Sequence, residues 1–142
     1  MFSTHQLGSL GEVKAIAVFI EKGFTIFTPL SGSSPFDFIA YKDNKSYRVQ
    51  VKSSESSKKY NAYKVNVSNS HLRGNGLKAR VKFFDRDEYD MLAVYLHVPD
   101  VVCFVKTSEI SNRRTISFRE SPTIHANKRK QWIISKYMKL PI

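Results

Sequence analysis

The chain has 142 residues, enough for one domain with a real core and short for two. Hydrophobic and charged fractions of 42% and 25% exclude a disordered chain, and a single cysteine excludes a disulfide framework or a cysteine-rich zinc site. Charge is the unusual feature: 23 Lys and Arg against 12 Asp and Glu give +11, which implies a polyanionic partner, nucleic acid or an acidic membrane surface.

The excess is placed unevenly. Residues 58–142 hold 17 basic and 7 acidic residues, whereas residues 1–57 are nearly balanced. No run of about 18 apolar residues and no basic-then-apolar opening is present, so the expectation is a soluble, cytoplasmic protein.

In chain order, Leu10, Val13, Ile16, Ala17 and Ile20 recur at helical spacing and predict a helix over residues 10–22 with one buried stripe. Ser9 and Glu12 match a capping box at its start, although the helix can begin as early as Thr4. Gly23 stands where a C′ glycine ends a helix. Residues 24–28 read as a strand stopped by Pro29. A hairpin follows, with strands about 36–42 and 45–53 around Asp43-Asn44, two residues that tolerate positive φ. Residues 54–61 read as a polar loop and residues 62–68 as a strand, with Tyr63, Val65 and Val67 alternating against Lys64 and Asn66. Residues 69–82 surround Gly74-Asn75-Gly76 with basic side chains and read as a flexible loop. Strands are expected at 91–97 and 101–106, where Cys103 reads as a buried thiol. Residues 110–118 are ambiguous, and residues 126–138 suggest a basic helix with Trp132, Ile133 and Met138 on its apolar side.

The hairpin carries the chemistry. A turn centred on Asp43-Asn44 pairs residues whose numbers sum to 87, which sets Asp37 across from Gln50 with Lys52 one step further on the same face. Phe36, Phe38, Ala40, Tyr47, Val49 and Val51 then share the apolar face, and Asp37, Arg48, Gln50 and Lys52 the polar one. A carboxylate there suits Mg²⁺, a hard cation that takes one or two carboxylates plus water and phosphate oxygens. The Gln50 carboxamide offers a neutral ligand or water-positioner, and Lys52 offers charge stabilisation or orientation of an attacking water. Glu12 supplies a second carboxylate if the first helix packs across this sheet.

Leu10-Gly11-Glu12, Pro35-Phe36-Asp37 and Val49-Gln50-Val51-Lys52 together resemble the PD-(D/E)XK nucleases, over about residues 8–53. The resemblance implies an α/β fold, the restriction-endonuclease-like core with a central mixed β-sheet flanked by helices. It places Asp37 on the metal-binding aspartate, Lys52 on the catalytic lysine and Glu12 on the helix glutamate of the branch that includes Holliday junction resolvases. Gln50 departs from the usual Asp or Glu, and with the Leu-Gly-x-Leu-Gly-Glu opening looks most like the homing endonucleases encoded by bacterial group I introns. Implied cation ligands are Asp37, Glu12 and the Val51 backbone carbonyl, with Mg²⁺ or Mn²⁺ as cofactor. One domain is expected, with a catalytic core about 8–106 and a basic DNA-contacting extension about 107–142. DNA contacts are expected from Arg73, Lys78, Arg80, Lys82, Arg113, Arg114, Lys128, Arg129 and Lys130. The partner is double-stranded DNA, and cutting both strands needs two active sites, hence a homo-oligomer, dimer or tetramer.

Bland alternatives compete at each point. Val-Gln-Val-Lys and Pro-x-Asp are common strand and turn sequences. Asp85, Asp87, Glu88 and Asp90 lack the glycine and terminal glutamate of a calcium loop and read as a solvated turn, and the four scattered histidines do not suit zinc. A Holliday junction resolvase, a restriction-type endonuclease, and a nucleic-acid-binding module with a degenerate nuclease core remain the rival functions.

Overall fold

The computed structural model describes residues 2–54, 62–67, 69–73, 77–82, 88–110, 113–123 and 130–142, with the backbone alone over residues 69–82. The elements run α1 (Thr4–Glu21), β1 (Thr25–Phe27), β2 (Phe38–Lys42), β3 (Lys45–Ser54), β4 (Ala62–Asn66), β5 (Asn69–Arg73), β6 (Leu77–Lys82), β7 (Met91–Leu96), β8 (Val101–Lys106), β9 (Thr115–Arg119), β10 (Trp132–Ile133) and α2 (Ile134–Tyr137). A 3₁₀ turn, Thr107–Glu109, separates β8 from β9.

Helix α1 begins at Thr4, the earlier of the two expected starts. Ser3 caps it, accepting from the Gln6 amide while the Gln6 side chain accepts from the Ser3 amide, so the capping box is Ser3/Gln6 and not Ser9/Glu12. Glu12 therefore lies more than two turns into the helix and has no capping duty. The buried stripe also differs: Leu7, Gly11, Ala15 and Phe19 face the sheet, while Val13 and Ile20 are exposed. Both stripes fit a 3.6-residue period. The deciding residue is Gly11, whose missing side chain lets the helix approach β3 and β7: a Cβ there would collide with Ser53 Oγ and lie 3.3 Å from Tyr95 Cβ. At the far end Gly23 takes φ +85°, as its C′ position requires.

The central sheet has the order β1-β2-β3-β7-β8. Its one parallel pair is β3 with β7, and the remaining pairs are antiparallel. Asp43 and Asn44 turn the β2–β3 hairpin with φ of 52° and 60°, and the register is the expected one, from Lys42 opposite Lys45 to Phe38 opposite Val49. All six residues of β7 are buried, because the strand is covered on both faces. Phe38, Ala40, Val49, Val51, Met91, Ala93, Tyr95 and Phe104 pack under α1. Leu92, Val94, Leu96, Cys103 and Val105 pack on the other side against a small sheet of order β10-β9-β4, which contributes Tyr63, Val65, Ile116, Phe118 and Trp132. The layers are thus helix, mixed sheet and small sheet. Burial pushes the Cys103 thiol up to about 12, which leaves it an inert packing group.

Three further expectations change. Residues 69–73 and 77–82 form an antiparallel hairpin, β5 with β6, in place of a loop, because the Gly-Asn-Gly segment separates two strands. Within residues 126–138 the chain forms β10, parallel to β9, and the single turn α2; Met138 is exposed, and residues 126–129 lie outside the described residues. Phe36 leaves its expected face and packs with the cluster opposite α1, because the chain bends at Asp37 before β2 begins.

Candidate active site

Strand β2 stops one residue short of the hairpin's full reach, and Asp37 fills the gap. Its backbone N–H donates to the Val49 carbonyl at 2.9 Å, and its Oδ2 accepts the Val51 N–H at 2.6 Å. The side chain has replaced a ladder bond, which pins the carboxylate to the edge of β3 at the Gln50-Val51-Lys52 segment. In an extended strand the N–H and C=O of one residue share an edge, so the Val51 carbonyl also points toward this gap. Gln50 and Lys52 alternate with Val49 and Val51 and project from the face opposite α1. The Gln50 amide lies 3.5 Å from the Val51 carbonyl.

The groups near Asp37 shift one another's acidity. Burial raises the Asp37 carboxyl above its ordinary range, opposed by the Val51 N–H and the Lys52 charge. Burial lowers Lys52, opposed by the Asp37 charge. Glu12 is raised by partial burial and by the Asp37 charge, so α1 brings it within the field of the same site. Tyr89 is a further neighbour: it is buried, and burial with the charges of Glu88 and Asp37 pushes its hydroxyl well up. Its sequence position, forty-odd residues from the hairpin, gave no sign of this; only the parallel pairing of β3 with β7 brings the segment before Met91 alongside.

Known proteins share the fold. A model of the PD-(D/E)XK endonuclease family matches residues 2–139. The chain belongs to the PD-(D/E)XK endonuclease family. A solved bacterial homing endonuclease, I-Ssp6803I, shares the fold with a TM-score of 0.75 at 19% identity, covering 96% of this chain and 88% of that one. No curated protein matches.

This nuclease therefore has the mixed sheet of its family; Asp37 stands just before β2 begins, with Glu12 and Lys52 within the field of its charge and Gln50 against the Val51 carbonyl. Nucleases of this family generally use divalent metals. Among the described residues no three His, Cys, Asp or Glu side chains converge, so a cation here would rest on two carboxylates, Asp37 and Glu12, and on neutral oxygens. The donor set still fits a hard cation that keeps several waters: oxygen atoms only, and two acids disfavoured in their charged form until a positive charge joins them.

The basic residues fall into three groups. Arg73, Lys78, Arg80 and Lys82 lie on β5 and β6, whose side chains are outside the description, as are Lys128 and Arg129 altogether. Arg113 and Lys130 both stack on Trp132, 4.7 and 5.4 Å from its ring centroid, and Lys130 also reaches Glu109 at 3.6 Å. Arg114 is exposed beside them, its carbonyl accepting from Val67. Asp85 and Asp87 are outside the described residues, while Asp90 is engaged with Arg48 through three hydrogen bonds. No described helix is long and apolar enough to cross a membrane.

Proposed function

We propose that this nuclease is a site-specific DNA endonuclease of the homing type, cutting double-stranded DNA with Mg²⁺ or Mn²⁺ at Glu12, Asp37, Gln50 and Lys52. The observation that carries the proposal is the 2.6 Å bond from the Val51 amide to Asp37, which fixes an acid beside a buried-edge lysine. Asp37, Glu12 and the Val51 carbonyl are the groups that would hold the cation. When bound, the cation polarises the phosphoryl oxygen and lowers the pKa of coordinated water.

The chain's own side chains do the rest. Lys52, partly desolvated and beside Asp37, has an ammonium strengthened electrostatically by its low-dielectric surroundings. It stabilises negative charge on the scissile phosphate and orients the attacking water. Gln50 positions that water through its carboxamide oxygen without adding a third negative charge. Double-strand cutting calls for two such sites, supplied by a homo-oligomer. The basic extension after residue 106 and the β5–β6 hairpin supply phosphate contacts.

The test is direct. Purified protein incubated with genomic DNA and Mg²⁺, followed by end mapping, is expected to yield breaks at one or a few defined sequences. Breaks scattered without sequence preference, or preferred cutting of four-way junctions over linear DNA, would overturn the homing assignment. No cutting with either Mg²⁺ or Mn²⁺ would overturn the catalytic one. Lys52→Ala is expected to reduce cleavage by roughly 100-fold or more while preserving DNA binding.

A further inference from the structure

A second charged concavity lies at the opposite end of the β2–β3 hairpin. It is a cavity of about 660 Å³ lined by Lys22, Phe24, Lys42, Asp43, Lys45, Tyr47, Lys139, Leu140 and Ile142. Lys45 and Val51 stand six residue steps apart along β3, roughly 20 Å of extended strand, so this cavity is not part of the proposed cleavage site.

Four lysines face one side-chain carboxylate, that of Asp43, and a terminal carboxylate on Ile142 would still leave the lining positive. Among the described residues no carboxylate pairs with Lys22, Lys45 or Lys139. Lys42 is pre-positioned: its ammonium donates to the Lys22 carbonyl at 2.7 Å and stands 5.4 Å over the Phe24 ring. One of its three N–H groups is thereby used, and the others remain to be directed at a ligand. The opposite character is supplied by Phe24 and Tyr47, half-buried with ring centroids 6.3 Å apart, and by Leu140.

An unneutralised lysine cluster beside partly exposed aromatic rings matches the two halves of a nucleotide, its phosphate and its base. We infer that this cavity binds the phosphates of a nucleotide unit, either free or within a nucleic-acid strand, at a site separate from the cleavage centre.

The test compares two double variants that each remove two positive charges, Lys22→Gln/Lys45→Gln in the cavity and Lys64→Gln/Lys106→Gln, exposed residues outside its lining; none of the four lies in the basic extension. Each full-length protein is titrated in EDTA with ATP by calorimetry, and with a fluorescein-labelled oligonucleotide by anisotropy over a salt series. A free nucleotide as ligand predicts about tenfold weaker ATP binding in the cavity variant alone. A strand as ligand predicts weaker oligonucleotide binding in the cavity variant alone, with a slope of log K against log salt shallower by roughly 2. Equal behaviour of the two variants in both titrations would overturn the inference. Because EDTA suspends metal-dependent cleavage, that failure would leave the nuclease proposal standing.

Discussion

At the scale of single residues, Asp37 does two jobs that pull in different directions. Its carboxylate accepts the Val51 amide, yet burial holds its pKa above the unfolded value. A folded-state pKa that is raised contributes stability below the unfolded pKa and loses it as pH rises through the folded one, so at neutral pH the ionised acid costs stability. Asn retains an acceptor for the amide and removes the charge. Asp37→Asn is therefore expected to abolish cleavage while melting no lower than wild type at pH 7 in EDTA, with Mg²⁺ raising the wild-type midpoint alone. A variant that melts well below wild type would show that the charge itself holds the edge of β3. Asp90 has the opposite sign. Burial raises its pKa, but hydrogen bonds from the Arg48 side chain and amide and the Arg48 charge outweigh that and lower it overall. Its contribution is present above the unfolded pKa and lost as pH falls through the folded one. Asp90→Asn is expected to cost no more than about 1 kcal/mol at pH 7, since the pair is 37–40% exposed and screened. Chemical denaturation at pH 7 and at pH 3 checks this: the difference should shrink at the lower pH.

At the scale of elements, the contact that matters most is the close approach of α1 to the sheet at Gly11. The adjacent Glu12 lies within the field of Asp37, so the height of the helix over the sheet sets its distance from the proposed site. Gly11→Ala gains helix propensity of about 1 kcal/mol but meets the Ser53 side chain and Tyr95 Cβ, and overpacking costs about 1–3 kcal/mol. The expected result is a modest loss of stability with a larger loss of cleavage, because the helix must lift and carry Glu12 with it. Adding Ser53→Ala removes the nearest atom and should restore part of both, a coupling measurable in a double-mutant cycle. The same helix marks a limit of what the sequence tells. Two stripes satisfied the same period, and hydrophobicity favoured Val13 and Ile20, whereas the fold chose Gly11 and Ala15 because small residues permit contact. The hairpin register was legible from Lys42–Lys45 to Phe38–Val49, since Asp43-Asn44 specifies the turn and a one-residue slip would bury Lys52 or expose Val49, but the expected Asp37–Gln50 pair is not in the ladder. The bend at Asp37 that sends Phe36 to the other core was not legible, because it depends on a carboxylate replacing a ladder bond.

At the scale of the molecule, the chain's end is part of its core. Trp132 and Ile134 pack with β7 and β8 through the small sheet, a parallel β9–β10 pairing that local sequence could not announce. Trp132 and Ile133 were legible as apolar and are buried, but Ile134 and not Met138 joins them, because the period over so short a run fits helix or strand equally. Trp132 also joins stability to charge. Its ring carries Arg113 and Lys130, while its Nε1 is buried and has no hydrogen-bond partner among the described residues. Trp132→Ala is expected to cost about 3–5 kcal/mol through the cavity it leaves. Trp132→Phe keeps an aromatic ring and loses far less packing volume than Ala, so its midpoint should fall far less. If the indole holds the two cations ready for phosphate, Phe, a weaker cation–π partner, should also weaken DNA binding by a small factor, at a protein concentration and temperature where the variant is fully folded. Binding unchanged in Trp132→Phe but reduced in Arg113→Gln would assign the contact to the guanidinium alone and leave the ring a purely structural part of the small sheet.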